Sequence, residues 1–133
     1  MSKSYTELDA WQKARKLANN IYNITSKFPK EETYGLVSQM RRAGISIPSN
    51  IAEGLGRNTS KDIIQFLYIS RGSAYELETQ LFISFDQNFI NEEILKEVLA
   101  LLTDCKMLIN GLINYYQSKY YRTKHEHRST KHE

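Results

Sequence analysis

Cysteine, proline and histidine are all scarce in this chain, and each scarcity removes a class of protein. With a single cysteine, Cys105, the chain has no intramolecular disulfide to form, which suits a reducing cytoplasm. No histidine precedes His125, so the sequence lacks the Glu-x-x-His pairs that hold di-iron centres inside helix bundles. We therefore expect a cytoplasmic protein with no metal and no cofactor.

Long apolar runs are lacking as well. The longest runs are short and interrupted by polar residues, so we expect no segment that spans a membrane. Residues 1–9 contain no apolar run followed by a cleavage site, so we expect no secretory signal. Two prolines and six glycines among 133 residues leave room for long, uninterrupted elements.

Apolar residues recur at steps of three and four along most of the chain, which is the period of an amphipathic helix. The pattern predicts four helices, over about residues 4–28, 30–55, 60–85 and 91–121. No sustained alternation of apolar and polar residues predicts a strand. Short connections favour antiparallel neighbours, so we predict an all-α, up-down-up-down four-helix bundle.

Proline, glycine and capping residues set the predicted helix ends. Pro29 ends the first helix, because the residue before a proline disfavours helical backbone. The other predicted ends are Gly54 and Gly56 for the second helix, Thr59 or Ser60 for the start of the third, and Asn91 for the start of the fourth. Pro48 lies within the second apolar stripe, which continues across it, so we expect a kink there rather than a split.

The last part of the chain, residues 122–133, is polar and predicts a disordered tail after a bundle formed by residues 1–121. The tail holds all three histidines, and we expect no metal site there because a frayed segment offers no fixed geometry. Cys105 falls on the apolar stripe of the fourth helix, so we expect a buried, unreactive thiol.

The third and fourth helices carry more apolar residues than one stripe needs. The surplus residues are Tyr68, Ile69, Tyr75, Phe82 and Ile83 on the third helix, and Leu99, Ile109, Ile113, Tyr115, Tyr120 and Tyr121 on the fourth. A helix that is apolar on more than one side is buried on more than one side. In a four-helix domain the second covering surface is another subunit or a ligand, and we favour self-association.

Two polar ridges on consecutive helices form the main candidate site. Asn50, Glu53 and Arg57 share a face of the second helix, and Ser73, Glu76 and Gln80 share a face of the third. We predict that they meet across the bundle as a structural hydrogen-bonded network. The alternatives are a groove for phosphate or a base edge, and a pair of carboxylates for acid–base chemistry, which lacks a recognisable nucleophile nearby.

Several motifs resemble a bacterial family of four-helix bundles. They are Trp11-Gln12-Lys13-Ala14, Phe28-Pro29, Glu32-x-Tyr34-Gly35-Leu36, Gln39-x-Arg41-Arg42-Ala43, Ser46-Ile47-Pro48-Ser49-Asn50-Ile51-Ala52-Glu53-Gly54 and Gly72-Ser73-x-x-Glu76-Leu77-Glu78-x-Gln80-Leu81. The family is named for proteins encoded in intervening sequences of 23S ribosomal RNA genes and is also called the S23 ribosomal protein family. The resemblance spans about residues 5–116.

The resemblance implies an up-down bundle that assembles as a homopentamer and has no catalytic activity. Retroelement accessory proteins, which are basic pentamers that bind RNA, look similar in fold. If RNA binding carries over, the motif positions that would contact phosphate are Arg41, Arg42 and Arg57, followed by Lys13.

Basic residues outnumber acidic ones in residues 1–30 and again in residues 119–133, which suits a polyanionic partner. Both segments also fit the simpler interpretation of solvated faces. The sequence therefore predicts a non-enzymatic homo-oligomer that binds RNA. The alternative is a scaffold for protein–protein interaction with no nucleic-acid role.

Overall fold

The computed structural model describes the backbone of residues 4–131 and the side chains of residues 4–125. Four α-helices make up the domain: α1 (Asp9–Thr25), α2 (Ser38–Leu55), α3 (Ser60–Asp86) and α4 (Glu92–Lys131). No strand occurs within residues 4–131. The prediction of an all-α four-helix bundle is confirmed.

Contacts between neighbouring helices show that each pair is antiparallel. The contacts that fix direction are Ala18 with Gly44 and Tyr22 with Arg41 for α1–α2, Ile47 with Ser70 and Met40 with Ser84 for α2–α3, and Arg71 with Asn110 and Glu78 with Lys106 for α3–α4. In the fourth pair, Lys13 of α1 faces Asp104 of α4. The topology is therefore up-down-up-down around one core.

The core lies along the bundle axis and receives side chains from all four helices. Its largest fully buried apolar side chains are Leu17, Ile21, Met40, Ile47, Ile51, Leu67, Leu77, Leu81, Leu102 and Ile109. Ile109 and Ile113 of α4, which we expected to be surplus, belong to this core. The apolar stripe of α4 is thus wider than its sequence spacing suggested, because α4 packs between α1 and α3.

The first helix begins later than its sequence predicts. Ser4 caps a separate 3₁₀ turn (Tyr5–Glu7) by accepting a hydrogen bond from the Thr6 amide at 3.3 Å. Leu8 is extended, with φ −78° and ψ 135°, so α1 starts only at Asp9. Gln12 donates to the carbonyl oxygen of Thr6 at 3.1 Å and holds the turn against α1.

The second helix is reached through two irregular turns, a 3₁₀ turn at Lys30–Glu32 and a π-helical turn at Thr33–Val37. The break in helical backbone lies at Gly35, with φ −109° and ψ −109°. Pro48 lies inside α2, which is continuous from Ser38 to Leu55. The second helix is therefore not split at Pro48, and a kink there stays a prediction.

The predicted caps of the later helices are confirmed. Thr59 accepts a hydrogen bond from the Asp62 amide at 3.2 Å, and Asn91 accepts one from the Ile94 amide at 2.8 Å. Between α3 and α4, Asn88 adopts φ 63°, a left-handed conformation that asparagine tolerates better than most residues. These caps explain why the two longest helices begin where the sequence predicted.

The fourth helix continues past Tyr121 to Lys131, through the segment we predicted to be a disordered tail. Residues 132 and 133 lie outside the described part of the chain. The described side chains from Gln117 to His125 are all exposed. Gln117 still contacts α3 by donating to the Tyr68 hydroxyl at 2.8 Å. We call residues 117–125 the α4 arm.

Over Glu92–His125, α4 is long and apolar enough, by length and composition only, to cross a membrane. Its apolar side chains Leu102, Cys105 and Ile109 are fully buried against the other helices. Packing in the bundle core accounts for part of this apolarity, since 33% of the most apolar 18-residue window is buried inside the bundle.

Two glycines inside helices provide a matched test of this packing. A Cβ on Gly54 would lie 2.7 Å from the Phe66 Cβ, whereas a Cβ on Gly72 would meet nothing within 4 Å. We expect Gly54→Ala to lower the free energy of unfolding by about 1–3 kcal/mol, because α2 and α3 must move apart. Gly72→Ala should raise it by about 0.5–1 kcal/mol through helix propensity. Urea denaturation checks both, and equal effects would contradict the close α2–α3 approach.

Candidate functional site

Small polar side chains join α2 to α3 at mid-bundle. The Ser73 hydroxyl donates to Ser46 Oγ at 2.8 Å, and Asn50 Nδ2 donates to the carbonyl and hydroxyl oxygens of Ser46 at 2.8 and 2.9 Å. One turn away, the buried Ser70 hydroxyl donates to the Ile47 carbonyl oxygen at 2.9 Å. Asn50 and Ser73 of the predicted network thus meet, but through Ser46, which the prediction left out.

The longer members of the two ridges do not meet. Glu53 pairs at 2.8 Å with Arg57, which follows the end of α2, and both side chains are exposed. Gln80 Nε2 lies 3.4 Å from Glu76 Oε1 within α3. The structure therefore brings together the short polar side chains of the ridges and leaves Glu53 and Glu76 in separate pairs, the first with exposed Arg57 and the second with buried Gln80.

A polar groove opens above the serine pair. It encloses about 280 Å³ between α2 and α3, and its lining includes Arg42, Ser46, Ser73 and Glu76. Gln80 is 5% exposed, and its Oε1 has no hydrogen-bond partner in the described structure. One cation and one carboxylate flank this groove, so its charges offset each other.

The four residues proposed for RNA contact lie on different sides of the bundle. Arg41 binds across the α1–α2 contact, donating through Nε to Thr25 Oγ1 at 3.0 Å and stacking 4.5 Å from the Tyr22 ring centre. Arg42 lines the α2–α3 groove. Lys13 lies 3.9 Å from Asp104 between α1 and α4.

Arg57, the fourth of these residues, lies at the end of α2 in its pair with Glu53 and over the ring of Phe66 at 4.6 Å. Lys13, Arg41 and Arg57 are thus engaged in contacts within the chain. The four residues form no single patch.

A second groove, between α1 and α2, was missed by the sequence analysis. It encloses about 390 Å³, and we define the α1–α2 groove by Tyr5, Trp11, Arg15, Tyr22, Ile45 and Pro48. An adjoining hollow of about 370 Å³ shares Trp11 and Arg15 and adds Lys16. The sequence pattern that could have predicted this groove is the spacing of Trp11, Arg15, Asn19 and Tyr22 at steps of four and three residues. This spacing places the four side chains on one face of α1.

Cys105 lies in the core rather than at a reactive site. Burial raises the pKa of its thiol to about 12 from an ordinary value of 9.0, Asp104 adds to the rise, and Lys13 opposes it. Across residues 4–125, no group of three or more His, Cys, Asp or Glu side chains is placed to hold a metal ion.

These contacts define the class of protein. It is a helix bundle in which short polar side chains join neighbouring helices, glutamates lie exposed and the single thiol is buried. The sequence profile of the 23S rRNA-intervening sequence protein family matches residues 6–111. The chain belongs to that family.

A solved structure has the same fold. The crystal structure of a protein with unknown function from the S23 ribosomal protein family, from Bacteroides thetaiotaomicron VPI-5482, matches with a TM-score of 0.74. The two chains are 24% identical over 79% of this chain and 95% of that one. No curated protein matches this chain significantly.

The buried thiol gives a test of core integrity. Since the pKa of Cys105 is raised, the folded state keeps the thiol protonated above pH 9, and the thiolate that reacts with disulfide reagents is scarce. We expect the native protein at pH 8 to react with an aromatic disulfide reagent at least about a hundredfold more slowly than the urea-unfolded chain.

The same shift predicts that stability falls as pH rises from about 9 towards 12, because the unfolded chain loses this proton first. Thermal unfolding of the wild type and Cys105→Ala between pH 8 and 10.5 isolates the contribution of the thiol. A thiol that reacts equally fast in native and unfolded protein would contradict its burial.

Proposed function

We propose that this protein is a non-enzymatic, cytoplasmic homo-oligomer that binds RNA. The observation that carries the proposal is an apolar surface on α3 that one subunit leaves uncovered. Ile69, Tyr75, Phe82 and Ile83 are each 44–51% exposed, and we call these four residues the α3 flank. Large apolar side chains clustered on one helix face favour burial against another protein surface.

A second apolar surface lies on another side of the bundle. Met107 is 67% exposed and, with Leu8, Leu108 and Leu112, lines a groove of about 310 Å³ between α1 and α4. Two different surfaces fit a head-to-tail interface, in which the α3 flank of one subunit packs into the α1–α4 groove of the next. Repetition of a head-to-tail contact gives a ring when the rotation between subunits closes and a filament when it does not. The family resemblance suggests a closed ring of five subunits.

The basic surface supports an anionic partner. Between Asp104 and His125, α4 carries four cations and no carboxylate. Three of those cations, Lys119, Arg122 and Lys124, lie exposed on the α4 arm. A ring repeats each charge around its axis, so a moderately basic subunit becomes a strongly basic assembly.

The absence of catalysis is proposed from the chemistry of the polar groups. Glu53 is occupied by Arg57, and Cys105 is a buried thiol with a raised pKa, which makes it a poor nucleophile. Glu76 contacts only Gln80 among the hydrogen bonds of the described chain. None of the three pairs with a general base or acid.

The assembly is tested by light scattering after gel filtration. We expect a mass near five times the 15.5 kDa of one chain. Ile69→Asp combined with Ile83→Asp should give a folded monomer, because it places two charges in the proposed interface. Asn23→Asp combined with Lys27→Asp, on the exposed face of α1 and beyond its end, is the control and should leave the mass unchanged. A wild-type monomer at micromolar concentration would contradict self-association. An assembly with a different multiple of the subunit mass would contradict the pentamer.

RNA binding is tested by fluorescence anisotropy with a labelled single-stranded RNA over a range of potassium chloride concentrations. We expect the logarithm of the association constant to fall linearly with the logarithm of salt, by about 0.7 for each phosphate contacted. Lys119→Gln with Arg122→Gln and Lys124→Gln should reduce that slope. If no binding occurs at low salt while a protein partner is recovered by affinity capture, the scaffold alternative replaces RNA binding.

A further inference from the structure

We propose that the α1–α2 groove binds unpaired bases of single-stranded RNA, with aromatic rings stacking on the bases and arginine contacting the phosphates. This inference rests on the proposed function and adds, beside the cations of the α4 arm, a surface that contacts the bases. Tyr5 is 40% exposed and Tyr22 is 42% exposed, one at each end of the groove, and Trp11 is half-buried between them. Base–aromatic stacking is the main sequence-tolerant contact made by proteins that bind single strands.

Charge distinguishes this groove from the others. The lining of the α1–α2 groove and its adjoining hollow includes Arg15 and Lys16 and no carboxylate. The α2–α3 groove includes Glu76, and the α1–α4 groove includes Asp9. A further hollow between α1 and α4 includes Asp9 and Asp104 beside Lys13. Those carboxylates offset or outweigh the nearby cations, so a phosphate chain is attracted more strongly to the α1–α2 groove, where the positive charge is not offset by a lining side chain.

The rings are held in place before any ligand arrives. The Tyr5 and Trp11 ring centres lie 5.4 Å apart at 69°, and the Tyr5 turn is fixed to α1 by Gln12. The Arg15 guanidinium lies 5.4 Å from the centre of Trp11, and that of Arg41 lies 4.5 Å from Tyr22. Such preorganisation lowers the entropy cost of binding a flexible strand.

The size of the groove fits bases rather than a duplex. About 390 Å³ between two helices accepts a planar ring system edge-on or stacked, within the range of small-ligand sites. In a duplex the bases are already stacked and present their edges, so the rings of Tyr5 and Tyr22 would gain nothing. We therefore expect single strands to bind and duplexes to bind more weakly.

Trp11 is the only tryptophan in the chain and gives a direct readout. We expect its emission to be quenched on titration with unlabelled oligouridylate, with the same dissociation constant as anisotropy gives. Tyr22→Leu, which removes the ring and keeps an apolar side chain, should weaken binding about tenfold without changing the salt slope. Arg15→Gln should reduce the slope by about 0.7.

Matched controls lie outside the groove. Tyr34 is 97% exposed in the α1–α2 connection, and Lys96 pairs with Glu92 in the first turn of α4. Tyr34→Leu and Lys96→Gln should leave affinity unchanged, and circular dichroism checks that all four variants fold.

The outcomes separate the site from the function. Anisotropy that detects binding while Trp11 emission stays constant and Tyr22→Leu binds like the wild type would overturn the groove and leave RNA binding in place. A hairpin duplex that binds as tightly as the single strand would also overturn the groove. Absence of binding in anisotropy at low salt would overturn the proposed function itself, and the groove with it.

Discussion

The close approach of α2 and α3 is the constraint on which the rest of the structure depends. Gly54 leaves room for Phe66, and Ser46 and Ser73 share a hydrogen bond across the contact. Small side chains bring the two backbones together, and the serine hydroxyls at the contact satisfy one another's hydrogen bonds. Ser70 then anchors the contact by donating to the Ile47 carbonyl. The register of these two helices is set by matched size and hydrogen bonding rather than by large apolar side chains.

The close contact between α2 and α3 also affects which side chains lie on the outer face of α3. Small residues occupy the side that faces α2, so the large apolar residues of α3 are divided between the core and the outside. Leu67, Leu77 and Leu81 fill the core, while Tyr75 and Phe82 remain exposed on the α3 flank. Exposure of this surface to water costs a lone subunit free energy, and burial against another protein surface would recover that free energy. The geometry that brings α2 and α3 together therefore also leaves large apolar side chains uncovered on the outer face of α3.

The positions of the helices could be predicted from the sequence more accurately than the contacts between the helices. The caps at Thr59 and Asn91 were predictable because capping needs only one side chain and its local backbone. Glu53 and Glu76 were expected to meet across the bundle, yet periodicity shows which residues share a face and not which neighbour that face contacts. Long carboxylate side chains reach solvent from such positions, whereas Ser46 and Ser73 cannot. The α1–α2 groove was missed for the same reason: Tyr5 reaches it from a separate turn, and no helical period includes that turn.

The cations that are free to contact a ligand differ from the cations that lie in the family motifs. Arg41 lies in the most distinctive stretch of sequence, but its Nε donates a hydrogen bond to Thr25 and its guanidinium group lies over the Tyr22 ring. An arginine held in this way joins two helices, and its reversal to glutamate would disturb the α1–α2 contact before it reported on any ligand. Arg15 occupies a less distinctive position and keeps its guanidinium beside Trp11 at the mouth of a groove without carboxylates. Binding to a polyanion is therefore better tested by removing Arg15 than Arg41, because only Arg15 can be neutralised without loosening the bundle that presents it.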